Sequence, residues 1–349
     1  MNLFDSIKEQ NSIIKNEDVF NPDFMPEELF FREKEIKEIA ISLKGAAKRK
    51  GENLLLYGST GCGKTTCAKY VLSELEDYSR KIKGIYINCW VFSTRFSVLN
   101  QIAYSLDEFV PRRGLAPDQL VEIISNSSIK EDKIPVVILD EVDSLVKRKE
   151  DSVLYDLLRI EEMNGGKINC ISITNETDFS SKLERRIKSS FAQKSIQFVP
   201  YRPDELRGII RQRALLGLYP QTFDDDIIGA CAGFSARNMG DARLGIRLLF
   251  MASKEAEKKD AQKINLTDVE NSKKQIFSEI ESEKTSTLGK NEKKILKRLL
   301  KNEWTTTATL YEELDIDKRE IRTILEKLEM MGFASSIIGE GGAKKVKRV

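Results

Sequence analysis

Eight consecutive residues, Gly58, Ser59, Thr60, Gly61, Cys62, Gly63, Lys64 and Thr65, spell G-x-x-x-x-G-K-[ST], and Thr66 follows them. Glycines at those places let backbone N–H groups wrap phosphate oxygens. Lys64 reaches the outer phosphates, and the Thr65 hydroxyl is a ligand for Mg²⁺. The pattern counts only where it joins a strand to a helix. Here ENLLLYG reads as the strand and KTTCAKYVLSELE as the helix, whose N-terminus adds a field favourable to anions. Asp140-Glu141 ends the run VVILDEVD, at the strand end where ligands of open α/β sheets sit. Asp140 is placed to hold Mg²⁺ through water, and Glu141 to orient an attacking water. Asn175 closes SITN, where a polar side chain can bridge the γ-phosphate and that water. Arg185 and Arg186 in LERRIKSSF, and Arg243 in GDAR, can stabilise transition-state charge from a neighbouring subunit or from a lid.

Composition narrows the chemistry. The 349 residues include no histidine, so a Ser-His-Asp triad, a Cys-His dyad and a His-ligated zinc are excluded. Phosphoryl transfer needs none. The five cysteines, at 62, 67, 89, 170 and 231, form no C-x-x-C pair and suggest no disulfide frame. No apolar run spans a membrane and the N-terminus carries no secretory signal, so the expected location is the cytoplasm. Net charge is +2, but residues 288–349 hold 14 Lys+Arg against 10 Asp+Glu. A basic C-terminal module on a near-neutral body points toward nucleic acid.

The elements that must position these residues follow from hydrophobic periodicity. Five short apolar runs, in 52–58, 82–90, 135–145, 167–175 and 194–201, alternate with helical patterns at 32–50, 64–76 and 94–109. Continuous rather than alternating apolar runs predict a parallel sheet covered on both faces. After Pro203 the strands stop, and 204–280 is helical in pattern. Residues 281–290, ESEKTSTLGK, lack periodicity and read as a linker. Three helices then follow, at 291–301, 308–315 and 317–331, with a Gly-punctuated β-prone tail. The expected domains are an N-terminal arm with a nucleotide-binding α/β domain over 1–200, a helical lid over 201–285 and a winged-helix domain over 286–349.

The order of phosphate loop, acidic strand, Asn-ended strand, R-x-x-S-S, helical lid with G-D-A-R and basic helical module resembles that of AAA+ ATPases. Within them it is similar to archaeal replication initiators of the origin-recognition-complex and cell-division-control type, over residues 15 to 340. The resemblance implies an α/β AAA+ P-loop core, an all-α lid and a C-terminal winged helix. It makes Asn175 the sensor 1 residue, Arg186 the arginine finger and Arg243 sensor 2, with Arg185 beside Arg186 as the other possible finger. It adds Tyr201 in VPYRP and Arg213 in IIRQRA as nucleotide contacts, and the arm NEDVFNPDFMPEELFFRE as a segment touching adenine. Residues 94–124, with Arg112 and Arg113, resemble a helical insertion that contacts DNA.

In the C-terminal module, Lys318, Arg319 and Arg322 occupy the first turns of a helix whose other face is Ile321, Ile324, Leu325 and Leu328. That is how a recognition helix presents itself to a major groove. Glu340-Gly-Gly would be a wing tip, flanked by Lys344, Lys345, Lys347 and Arg348 for phosphates. The resemblance implies ATP or ADP with Mg²⁺ as cofactors, duplex origin DNA and the replicative helicase as partners, and possible self-association on DNA. Two other readings stay open: a nucleotide-locked DNA-binding module with negligible turnover, and a AAA+ regulator acting on another DNA or protein target.

Overall fold

The computed structural model describes residues 12–349 apart from 107–109, 112, 113, 131, 132, 189, 190, 192, 287, 300–303, 331–333, 339–343 and 349. Arg112, Arg113 and the expected wing tip lie outside the described residues. The chain divides into two compact units, Met1–Ser272 and Lys273–Val349.

The first unit is built on five strands: β1 (Leu54–Gly58), β2 (Ile82–Asn88), β3 (Ile134–Asp140), β4 (Asn169–Thr174) and β5 (Lys194–Phe198). All pair in parallel, in the order β2-β3-β4-β1-β5. Every residue of β3 and β4 is buried, because helices cover both faces. Successive residues of a strand point to opposite faces. Leu54, Leu56, Val136, Ile138 and Ile171 therefore pack with α1 (Glu33–Leu43) and α2 (Lys64–Tyr78). Leu55, Val137, Leu139 and Cys170 pack the other way. They meet α3 (Arg95–Leu106), α4 (Pro117–Lys130), α5 (Asp143–Lys147), α6 (Ser152–Asn164) and the short α7 (Phe179–Lys182) and α8 (Arg185–Lys188). The carboxyl ends of β1, β3 and β4 thus present Gly58, Asp140 and Asn175 on one rim of the sheet.

Three helices follow: α9 (Pro203–Gly217), α10 (Asp225–Arg237) and α11 (Ala242–Glu257). Pro203 opens α9, where its missing N–H costs nothing. Asp224 and Asp241 cap the next two by accepting backbone N–H groups. The arm lies against this bundle. Ile13, Ile14, Val19 and Phe20 are buried, the N–H groups of Lys15 and Asn16 donate to Gly217 O, and Phe20 stacks on Phe250 at 5.2 Å.

One expectation fails. Helix α12 (Leu266–Ser286) continues through residues 281–286, which were expected to form a linker. Glu and Lys are good helix formers. The missing apolar periodicity of ESEKTS removes the sequence signal of a helix, not the helix itself. The boundary between the compact units falls inside α12.

In the second unit, α13 (Lys290–Arg298), α14 (Thr307–Glu313) and α15 (Lys318–Met330) enclose Ile295, Leu296, Leu310, Ile321, Leu325 and Leu328. A three-stranded antiparallel sheet completes that core with Ala334 and Val346. It consists of β6 (Thr305–Thr306), β7 (Ala334–Ile338) and β8 (Lys344–Arg348), ordered β6-β8-β7.

Candidate active site

The loop between β1 and α2 takes its shape from glycines that nothing else could replace. Gly61 (φ +70°) and Gly63 (φ +93°) adopt left-handed backbone. A Cβ on Gly61 would lie 1.8 Å from Asp241 Oδ1, and one on Gly63 would lie 2.6 Å from the Tyr201 hydroxyl. Lys64, the first residue of α2, is buried. Its ammonium donates to Gly58 O at 3.0 Å, Ser59 O at 2.7 Å and Asn175 Oδ1 at 2.9 Å. Burial lowers its pKa, against the pull of Cys62 and Asp140. The β1 and β4 loops therefore meet at one ammonium group.

The Asp140 carboxylate is held by three donors. Thr65 Oγ1 donates to Oδ2 at 2.8 Å, the Tyr86 hydroxyl to the same oxygen at 3.0 Å, and the Glu141 N–H to Oδ1 at 2.9 Å. Glu141 sits at φ +54°, an uncommon conformation for a non-glycine residue of the kind that clusters at functional sites. Burial raises its carboxyl pKa, and the Asp140 and Asp143 charges push the same way, while Arg243 and Lys64 oppose them.

The helical bundle closes onto this rim. Asp241 lies against Gly61, and the Ala242 N–H donates to Gly61 O at 3.4 Å. The Arg243 guanidinium donates to both Asp241 oxygens, at 3.2 and 3.0 Å, which is the chief cause of its raised pKa. Tyr201 is half-buried, and burial raises its hydroxyl pKa. Arg213 is buried in α9, with a pKa lowered by burial to about 10. It donates to Val19 O and Phe24 O, both at 3.3 Å, and its Nε is a buried donor with no partner.

Two residues were missed by the reading of the sequence. Arg32 is 3% exposed, donates to Cys62 O at 3.0 Å and Val199 O at 2.7 Å, and lies over the Tyr201 ring at 3.9 Å. It fastens the phosphate loop to the end of β5. Tyr86, on β2, holds Asp140. Tyr86 belongs to no local motif, and Arg32 lies in the quoted arm segment without a motif of its own. The only signals were an arginine at a helix start and a polar-tipped aromatic near a strand end.

Arg185 and Arg186 are exposed on α8. Arg186 pairs with Glu184 at 2.6 Å and lies 5.3 Å from the Tyr155 ring centroid. In the second unit, Lys318, Arg319 and Arg322 are exposed on α15. The Arg322 Nε donates to the Tyr311 hydroxyl at 3.0 Å, and Lys318 lies 5.9 Å from the same ring. The three β8 lysines do not act as one set. Lys344 pairs with Glu329 at 2.9 Å, whereas Lys345 and Lys347 alternate with the buried Val346, and Lys347 lies 4.9 Å from the Trp304 ring.

A parallel sheet with a phosphate loop after β1, an acid pair ending β3, an Asn ending β4 and a helical lid that brings an Arg to the same rim defines a AAA+ ATPase. The chain belongs to the ORC1-type DNA replication protein family. Residues 48–180 match the AAA domain, and residues 207–274 match the Cdc6 AAA+ ATPase-type lid domain. ORC1-type DNA replication protein 1 of Sulfurisphaera tokodaii is 32% identical, over 97% of this chain and 90% of the relative. The Pyrococcus furiosus ORC1-type protein is 30% identical over 99% and 89%. The Aeropyrum pernix ORC1 protein, solved in complex with DNA, matches at TM-score 0.78 and 30% identity over 96% of this chain and 94% of that one. The A. pernix ORC2 protein, solved in ADPNP–ADP complexes, shares the fold at TM-score 0.72 and 21% identity over 97% and 94%.

Proposed function

We propose that this protein is an ATP-switched replication initiator at the nucleoid, which binds duplex origin DNA and helps recruit or load the replicative helicase. The observation that carries the ATP switch is the meeting of Lys64, Asn175, Thr65, Asp140 and Glu141 at one rim, with Arg243 brought there by the lid. Family membership carries the rest. The domain assignment that goes with this reading is an arm and α/β core to residue 200, a lid to 285 and a winged helix from 286.

The site fits a magnesium nucleotide. Gly61 and Gly63 give the loop the left-handed backbone of a phosphate-binding turn, and the buried Ser59 hydroxyl within it has no protein partner. Thr65 and Asp140, 2.8 Å apart, are the residues to hold the metal. Among the described residues no cluster of three or more His, Cys, Asp or Glu could bind a metal alone. The cation would therefore be held jointly with phosphate oxygens, as Mg²⁺ usually is. Bound there, it would neutralise charge on the outer phosphates. The chain's own residues do the remainder. Lys64 binds the phosphates, Glu141 orients the water, Asn175 positions it, and Arg243 lets the lid sense the γ-phosphate. Tyr201 and Arg213 join the lid and arm to the nucleotide, and Arg186 acts on a neighbouring subunit's site.

DNA contact is assigned to Arg319 and Arg322 for bases, to Lys318, Lys345 and Lys347 for phosphates, with Lys344 held by Glu329 in the free chain, and to the 94–124 insertion with Arg112 and Arg113. Footprinting the protein on its own genomic DNA with ATP and with ADP tests the reading. Protection confined to specific duplex sites and changed by the nucleotide is expected. Protection without site preference overturns it.

A further inference from the structure

Beside the residues that face the phosphate loop, one cluster built on a buried carboxylate has no part in the roles assigned above. Asp143, the first residue of α5, is 6% exposed. Its Oδ1 accepts the Thr174 hydroxyl at 2.9 Å, and its Oδ2 accepts the Lys147 ammonium, one helical turn away, at 2.8 Å. Lys147 also lies 2.8 Å from Glu176 Oε1, and the Glu176 N–H donates back to Thr174 Oγ1 at 3.1 Å. The Val142 N–H donates to Ile173 O at 3.0 Å, and Lys182 holds Glu176 from outside at 3.0 Å.

This ring closes through the backbone on either side of Asn175. The sheet does not hold Asn175, because the register of β4 with β1 ends at Thr174, and the residue itself is exposed. Its two chain neighbours are instead fastened to α5, the helix that starts two residues after Glu141. We propose that Asp143, Thr174, Lys147 and Glu176 form a positioning clamp that holds Asn175 in register with Glu141. The two side chains then meet the same water and phosphate. Asp143 and Thr174 touch neither; they act through Asn175. A misplacement of about 1 Å at a reacting geometry can cost on the order of a hundredfold in rate, so the backbone that carries this amide needs an anchor beside the Lys64 hydrogen bond to its Oδ1. The inference rests on Asn175 and Glu141 being the hydrolytic residues.

The test uses the full chain, with single-turnover hydrolysis of bound ATP and the ADP dissociation constant by calorimetry. Thr174→Val keeps the shape and removes the hydroxyl. It is expected to slow hydrolysis about tenfold, with Thr174→Ser restoring the rate and ADP affinity unchanged in both. In an Asn175→Ala background, Thr174→Val is expected to slow hydrolysis by less than about twofold, because the two then act as one unit. An unchanged rate in Thr174→Val overturns the clamp. So does an equal loss in the Asn175→Ala background, and so does a fall in ADP affinity that tracks the rate, which marks a brace for the whole site. A parental rate in Asn175→Ala overturns the role of Asn175 and the clamp with it, and that variant alone separates the two failures. If Thr174→Val does not fold, Lys147→Met, at the exposed end of the ring, replaces it. The expectation is then about a threefold slowing with the same non-additivity.

Discussion

Lys64 holds the loop carbonyls of Gly58 and Ser59 together with Asn175, so one ammonium serves both the β1 and β4 loops. Lys64→Ala removes the only cation inside the phosphate loop and is expected to abolish measurable ATP and ADP binding by calorimetry. Retained affinity would show that the loop does not bind phosphate through this residue. Glu141→Gln keeps the size and hydrogen-bonding shape of the side chain and removes the charge proposed above to orient water. ATP binding should persist while turnover falls by about a hundredfold or more, the range of a lost general base. A variant hydrolysing at the parental rate removes Glu141 from the mechanism. Both residues are legible from the sequence because each lies in a short contiguous motif of its own. Tyr86 and Arg32 are not, because each reaches its partner across the fold.

At the scale of elements, the arm and α8 carry separate roles. Phe20 is 6% exposed and stacks on Phe250, tying the arm to the lid. Phe20→Ala leaves a cavity and is expected to cost about 3 kcal/mol in urea unfolding. A loss below about 1 kcal/mol would mean that the arm repacks around the gap. Arg186 projects from α8 beside Glu184, on the surface of its own subunit. Arg186→Ala should slow hydrolysis only where subunits assemble on DNA, measured by comparing turnover with and without DNA. A defect in the isolated monomer would give the arginine a role in cis. Helix α12 shows the limit of periodicity: with no apolar repeat in ESEKTS, a helix reads as a linker.

For the whole molecule, the DNA contacts proposed above separate into base and phosphate classes. Arg322 is exposed on α15 and braced by Tyr311, whereas Lys345 lies on β8. Losing a base-contacting Arg costs about 1–3 kcal/mol and relaxes specificity, while losing a phosphate-contacting Lys weakens all sequences and lowers the salt slope by about one. Arg322→Ala should therefore narrow the gap between specific and scrambled duplexes in fluorescence anisotropy, and Lys345→Ala should leave it nearly intact. Removing residues 286–349 should abolish most of the affinity. A truncated chain that binds as tightly as the full one would make this module a protein-interaction domain.

The sequence by itself determined the parallel sheet, its covered faces, the phosphate loop and the acid pair. It also determined the class of chemistry that a chain without histidine can perform. These are properties of contiguous residues: periodicity sets which face is buried, and a loop between strand and helix carries its ligand-binding geometry within its own backbone. The tertiary structure alone decided the rest. It put Asn175 on Lys64, Tyr86 on Asp140, Asp241 against Gly61 and Arg32 under the loop. It also gave Arg213 to the arm and turned Lys344 toward Glu329, away from Lys345 and Lys347. Each of these depends on which strand ends lie side by side and which way a side chain faces. Strand order and pleat set those relations across separations in sequence that local patterns do not encode.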